Sequence, residues 1–117
     1  MDVDNLPILK VVFYASEGGR EYVREWLKQL PREDMRRIGE DIKTAQFGWP
    51  LGMPLIRKLG KDLWEVRSNI KDGIARIFFT VEERNMVLVH GFVKKSKATP
   101  EHEMDLAKKR VKDYFGG

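Results

Sequence analysis

The sequence holds no cysteine, and that absence removes disulfide scaffolds, thiol nucleophiles and thiolate metal sites together. Histidine is scarce as well: His90 and His102 are too few for a histidine-built zinc site. No apolar run approaches the roughly 18 residues of a membrane span. The opening Met1-Asp2-Val3-Asp4-Asn5-Leu6-Pro7 lacks the charged and apolar regions of a signal peptide. Internal repeats, low-complexity tracts and linkers are missing, as are a P-loop, a dinucleotide-binding motif and a Ser-His-Asp arrangement. These absences lead to the expectation of a soluble, cytoplasmic protein with no membrane partner, no cofactor and metal-independent chemistry.

What is there suits a single domain over residues 1–117. A chain this long buries roughly two-thirds of its unfolded surface, and 42% hydrophobic with 10% aromatic residues supplies the material for one core. Lys and Arg number 22 against 18 Asp and Glu, a net charge of +4. That balance suits an anionic partner without naming one. Its distribution says more. From Lys94 to Lys112 there are seven Lys/Arg and three Asp/Glu, so this stretch alone carries +4. Such asymmetry suits a surface facing RNA or DNA, with affinity that falls as salt rises.

Periodicity divides the chain. Leu9 to Tyr14, rich in β-branched and aromatic residues, reads as a first strand, broken by Ser16-Glu17-Gly18-Gly19. From Arg20 to Leu30, the residues Tyr22, Val23, Trp26, Leu27 and Leu30 form one helical stripe. Pro31 stops it and opens a second helix over Arg32 to Phe47, striped by Met35, Ile38, Ile42 and Ala45, with Gly48 as C-terminal cap. The two make an αα-hairpin. Leu55 to Leu59 reads as a short strand, and Leu63 to Asn69 alternates as a half-buried strand does. Asp72-Gly73 signals a turn, Ile74 to Val81 and Met86 to Val93 read as further strands, and residues 82–85 turn the chain between them. Thr99 as N-cap and Pro100 at the first helical position open a last helix, striped by Met104, Ala107, Val111 and Tyr114. The expected fold class is α+β: an N-terminal strand, a helical hairpin, an antiparallel β-meander and a C-terminal helix.

With Asp72-Gly73 as the loop, Lys71 pairs with Ile74, Asn69 with Arg76 and Arg67 with Phe78. Arg67 and Arg76 then become diagonal neighbours on one sheet face, while Trp64 and Val66 point to the other, where the helices pack. Two adjacent guanidinium groups repel unless an anion lies between them, and their fork matches a phosphate. The alternative is that Glu65 neutralises Arg67 and that Arg76 is a solvated cation. A second basic cluster, Lys94-Lys95-Ser96-Lys97, follows the last strand, and Arg57 with Lys58 could extend it. A charged run in that place also suits a plain solvated loop. The face of His90 stays open, because an odd or even loop at residues 82–85 reverses its parity; such a histidine is more often structural than a general base.

Three stretches form a larger pattern: Lys58-Leu59-Gly60-Lys61-Asp62-Leu63-Trp64-Glu65-Val66-Arg67, then Ala75-Arg76-Ile77-Phe78-Phe79, then His90-Gly91-Phe92-Val93-Lys94-Lys95-Ser96-Lys97-Ala98-Thr99-Pro100. With Glu103, Ala107 and Arg110 after them, they resemble the phage-associated, HigB-like branch of the RelE/ParE toxin superfamily over nearly the whole chain. The resemblance implies a RelE-like fold and the toxin half of a type II toxin–antitoxin pair. Its partner would be a helix-turn-helix antitoxin, which alone contacts operator DNA. Its activity would be that of a metal-independent endoribonuclease cutting messenger RNA on the ribosome and so inhibiting translation. The chemistry is attack of a ribose 2′-hydroxyl on the adjacent phosphate, which needs a base, cations for the phosphorane and an acid for the leaving oxygen.

Carried over by position, the resemblance gives Arg67 and Arg76 the scissile phosphate. It gives Lys94 or Lys95 proton transfer or phosphate contact. Arg57, Lys58 and Lys97 would contact RNA, and Tyr114 would stack on a base or else pack against the sheet. Ala98 departs from the pattern, since many relatives carry a lysine there. Two other readings stay open: a ParE-like gyrase inhibitor, disfavoured by the Lys-Lys…Thr-Pro stretch, and an inactive member kept for antitoxin binding.

Overall fold

The computed structural model describes residues 6–94 and 100–116. Strand β1 (Lys10–Phe13) leads into helices α1 (Tyr22–Lys28) and α2 (Arg32–Gly48), which form the expected hairpin. Strands β2 (Ile56–Gly60), β3 (Leu63–Ile70), β4 (Gly73–Glu82) and β5 (Asn85–Lys94) follow as an antiparallel meander, and helix α3 (Glu101–Tyr114) closes the chain. The α+β architecture is the one the periodicities predict. The five strands lie in the order β1-β5-β4-β3-β2, with β1 parallel to β5 through Lys10↔Asn85 to Phe13↔Leu88. No helix among the described residues is long and apolar enough to cross a membrane.

Alternation along the strands sorts their side chains onto two faces. On one, Val66, Ala75, Ile77 and Phe79 pack with Val23 of α1 and Ile38, Ile42 and Ala45 of α2. On the other, Leu63, Phe78, Val87 and Val89 meet Met104, Ala107 and Val111 of α3. Polar ties fix α3 to the sheet. Tyr14 donates its hydroxyl to Asp113 Oδ2 at 2.6 Å, a bond that pushes the phenol up to about 12. Tyr114 donates to Glu82 Oε1 at 2.9 Å, and Arg110 Nη1 to the Val89 carbonyl at 2.8 Å.

The β3–β4 register departs from the predicted one. Ile70 pairs with Gly73, so the loop is Lys71-Asp72, and Arg67 lies opposite Arg76 instead of Phe78. The reason lies in β5. A Cβ at Gly73 would stand 3.1 Å from both the Lys94 carbonyl oxygen and Val93 Cγ1. Glycine here serves a close strand approach rather than the turn. The slip of two residues along the ladder leaves every face unchanged. The next loop, by contrast, is tighter than expected, two residues long with Glu82 paired to Asn85 and Glu83 at φ 55°. Helix ends shift too. Gly48 is the last residue of α2, Trp49 takes the cap position, and Pro100 occupies the N-cap position of α3. Thr99, the expected cap, lies outside the described residues.

Candidate active site

Register places the basic residues. On the face that α3 partly covers, Arg57 of β2 lies opposite Glu65 of β3, Arg67 opposite Arg76 of β4, Arg76 opposite Phe92 of β5, and Ile74 opposite Lys94. Directly paired side chains start about 5 Å apart at Cβ, so the two arginines share one spot. Lys94 is the diagonal neighbour of Arg76 across β4 and β5, and Glu65 its diagonal neighbour across β3 and β4.

Burial makes this cluster unlike a solvated patch. Arg76 is 4% exposed, Lys94 5% and Glu65 0%. Arg76 Nη1 donates to Glu65 Oε1 at 2.7 Å, a buried ion pair that offsets the cost of taking two charges from water. Glu65 therefore neutralises Arg76, not Arg67, and Arg76 is not the solvated cation of the alternative reading. Glu65 Oε2, Arg67 Nε and Arg76 Nε are buried without a hydrogen-bond partner among the described residues. Buried donors are seldom left in that state, so both N–H groups are available to an incoming acceptor. Two guanidinium groups held side by side with unmatched N–H donors suit a tetrahedral oxyanion. Burial, aided by the charges of Arg76, Arg67 and Arg57 and opposed by Glu65, holds the Lys94 ammonium below its usual range.

A histidine network borders the cluster. The β-bulge between Phe78 and Phe79 lets Phe78 pair with His90 and Phe79 with Leu88, leaving Val89 as the extra residue. The two-residue loop and that bulge together set the face of His90. His90 Nε2 stands 3.0 Å from Glu103 Oε1, and Nδ1 stands 3.3 Å from Arg110 Nη1. Its ring stacks on Phe92 at 5.5 Å between centroids, and Phe92 meets Phe78 edge-on at 5.4 Å. Burial lowers the imidazole below its ordinary value against the opposing pull of Glu103. The half-buried ring of Phe92 thus sits between the histidine and Arg76.

Residues 25–112 match the family model of phage-derived Gp49-like proteins (DUF891). The chain belongs to the Gp49-like family. This is a RelE-type, toxin-like family. None of the curated proteins matches the chain. The Gp49-like match spans Arg57, Glu65, Arg67, Arg76, His90, Lys94, Glu103 and Arg110, and ends before Tyr114.

Within this Gp49-like fold, the site residues expected from sequence separate. Arg57, Arg67, Arg76 and Lys94 share the cluster. Lys58, opposite Trp64, lies on the helical-hairpin face, its ammonium 5.6 Å from the Trp64 ring centroid. Tyr114 is tied to Glu82 at the far end of β4 and packs against the sheet, the second of its two expected placements. Lys95 and Lys97 lie outside the described residues. Among the described residues no group of three or more His, Asp or Glu is placed to hold a metal ion.

Sequence reasoning missed Glu65 as the partner of Arg76, Phe92 as its cross-strand neighbour, and the Glu103–His90–Arg110 network. The spacing of Glu103 and Arg110, seven apart with Ala107 between, marks one face of α3 and was a usable signal. Phe92 becomes visible only once the β4–β5 register is known.

Proposed function

We propose that this Gp49-like protein is a single-domain toxin of the HigB-like branch, acting as a metal-independent, ribosome-dependent messenger-RNA endoribonuclease. The observation that carries the reading is Arg67 directly opposite Arg76 with buried, unmatched Nε–H donors on both. The two guanidinium groups hold the non-bridging oxygens of one phosphate. The 2′-hydroxyl oxygen attacks the adjacent phosphorus and its proton passes to a base. The P–O5′ bond breaks, the leaving oxygen takes a proton, and the products are a 2′,3′-cyclic phosphate and a 5′-hydroxyl. Lys94 suits the proton-transfer role, because an ammonium held below its usual range exchanges a proton nearer neutral pH. Arg57 on the same face supplies a contact to RNA, and Lys58, Lys95 and Lys97 are the further RNA contacts that the family resemblance implies. The partner is a helix-turn-helix antitoxin through which operator DNA is bound, and the place of action is the cytoplasm.

The test is induction in cells, with messenger-RNA 5′ ends mapped beside markers of DNA breaks. Cleavage inside translated codons supports the reading, DNA breaks replace it with gyrase inhibition, and neither outcome leaves an inactive toxin. Arg67→Ala is the decisive variant. It removes a half-buried cation that Glu65 does not hold, and the expected loss of cleavage is about 100- to 1000-fold. Arg76→Ala is less clean, since it strands the buried Glu65 carboxylate and costs about 3–5 kcal/mol of stability.

A further inference from the structure

Glu65 is fully buried and, as an anion, is not itself a ligand for phosphate, yet it lies among the groups that would hold the RNA. One carboxylate oxygen takes the Arg76 guanidinium by Nη1, and the other is left without a partner among the described residues. A carboxylate retained at the floor of a cationic cluster is costly unless its charge is used there. A hydrophobic pair of similar volume would pack the same strand positions at no such cost.

We infer that Glu65 is the positioning residue of this site, locking the Arg76 guanidinium by one edge and setting a negative charge in the cluster that Lys94 shares as the other diagonal neighbour of Arg76. The inference rests on the nuclease reading for its consequence, not for its geometry. An arginine held from below keeps its remaining donors in one orientation, as a phosphate-binding fork requires. Lys94 is faced by Arg76 from β4, Arg67 and Glu65 from β3, and Arg57 from β2. Of these, Glu65 alone favours the protonated lysine. With Glu65 charged, Lys94 stays able to carry a proton to a leaving oxygen; without it, three arginines drive that proton off.

Two substitutions separate these roles. Glu65→Gln keeps the shape and still accepts from Arg76, but removes the charge. Glu65→Asp keeps the charge and draws it back from Arg76. The full-length protein, labelled with 13C at lysine Cε, is titrated by NMR without RNA, the Lys94 signal being assigned by its loss in Lys94→Arg. The midpoint of Lys94 is expected to fall by about one pH unit in Glu65→Gln and to hold in Glu65→Asp. A Glu65→Gln protein that melts earlier but titrates Lys94 at the wild-type midpoint overturns the inference. Should Glu65→Gln not fold, Glu65→Asp carries the test: cleavage falls about 100-fold from misplacement of Arg76, and unchanged cleavage overturns the inference. Because the titration uses no RNA, a wild-type protein that cuts nothing sinks the nuclease reading while Lys94 still answers to Glu65. Normal cleavage with an unmoved midpoint sinks only the role of Glu65.

Discussion

His90 accepts a hydrogen bond from Arg110 at Nδ1 and faces Glu103 at Nε2. The arginine guanidinium only donates hydrogen bonds and has no lone pair to accept one, so Nδ1 carries the lone pair and Nε2 the hydrogen. The neutral imidazole satisfies both neighbours at once; a proton on Nδ1 would meet the guanidinium N–H head-on. Burial has the same sense, holding the folded-state value below the 6.5 of the unfolded chain. Between those two values the unfolded state binds more protons, so His90 makes stability rise with pH there, and the contribution is lost as pH falls through the window. Melting temperatures from pH 5 to 7.5 are expected to climb for the native protein and to climb less for His90→Gln, which offers Glu103 an N–H without titrating. At pH 7.5 that substitution costs about 1 kcal/mol, one hydrogen bond of the two. Equal pH slopes for the two proteins would remove His90 from this role.

Helix α1 spans only Tyr22–Lys28, shorter than its apolar stripe. At its start Ser16 and Arg20 close a turn, through Ser16 N to the Arg20 carbonyl and Arg20 N to Ser16 Oγ, and this holds residues 16–20 out of the helix. The stripe and the break at residues 16–19 were legible; the hold of Ser16 on Arg20 was not, because serine offers the backbone both choices. The same holds for the sheet. Strand existence follows from alternation, whereas the register at Gly73, the bulge at Val89 and the parallel placement of β1 depend on contacts between segments distant in sequence. Of the site, the shared face of Arg67 and Arg76 survived a wrong register because a two-residue slip preserves faces, while their direct pairing and the Glu65 ion pair did not follow from parity alone. Gly91 tests the packing of α1. A Cβ there would lie 2.4 Å from Trp26 Cε3, so Gly91→Ala must displace the indole that fastens α1 to β5. Denaturant unfolding is expected to show a loss of about 1–3 kcal/mol, with a red shift of tryptophan emission. Gly39→Ala, in α2 with nothing near its Cβ, should instead gain up to about 1 kcal/mol from helix propensity.

Across the whole molecule, the net charge of +4 conceals two different surfaces. Along α2, Arg36 is matched by Glu33 and Glu40, and Arg37 by Asp41, all close in sequence. These exposed pairs contribute little to stability and leave the hairpin face nearly neutral. Around Arg76, four cations from four strands, Arg57, Arg67, Arg76 and Lys94, gather about the carboxylate of Glu65. The sequence-level count located the excess between Lys94 and Lys112 because it followed the chain. Folding instead gathers Arg57, Arg67 and Arg76 to Lys94 across the sheet. Binding of a short RNA should therefore release counterions through this face. For single-stranded RNA, the logarithm of affinity falls against the logarithm of salt by about 0.7 for each phosphate neutralised. Arg57→Ala with Arg67→Ala is expected to flatten that slope by about 1.4, read by fluorescence anisotropy of a labelled oligonucleotide between low and physiological salt. Arg36→Gln with Arg37→Gln removes the same formal charge from the hairpin face. It should leave the slope unchanged, since those guanidinium groups already have carboxylate partners. An equal flattening from both pairs would mean that net charge, not the clustering of cations on the sheet, governs RNA binding.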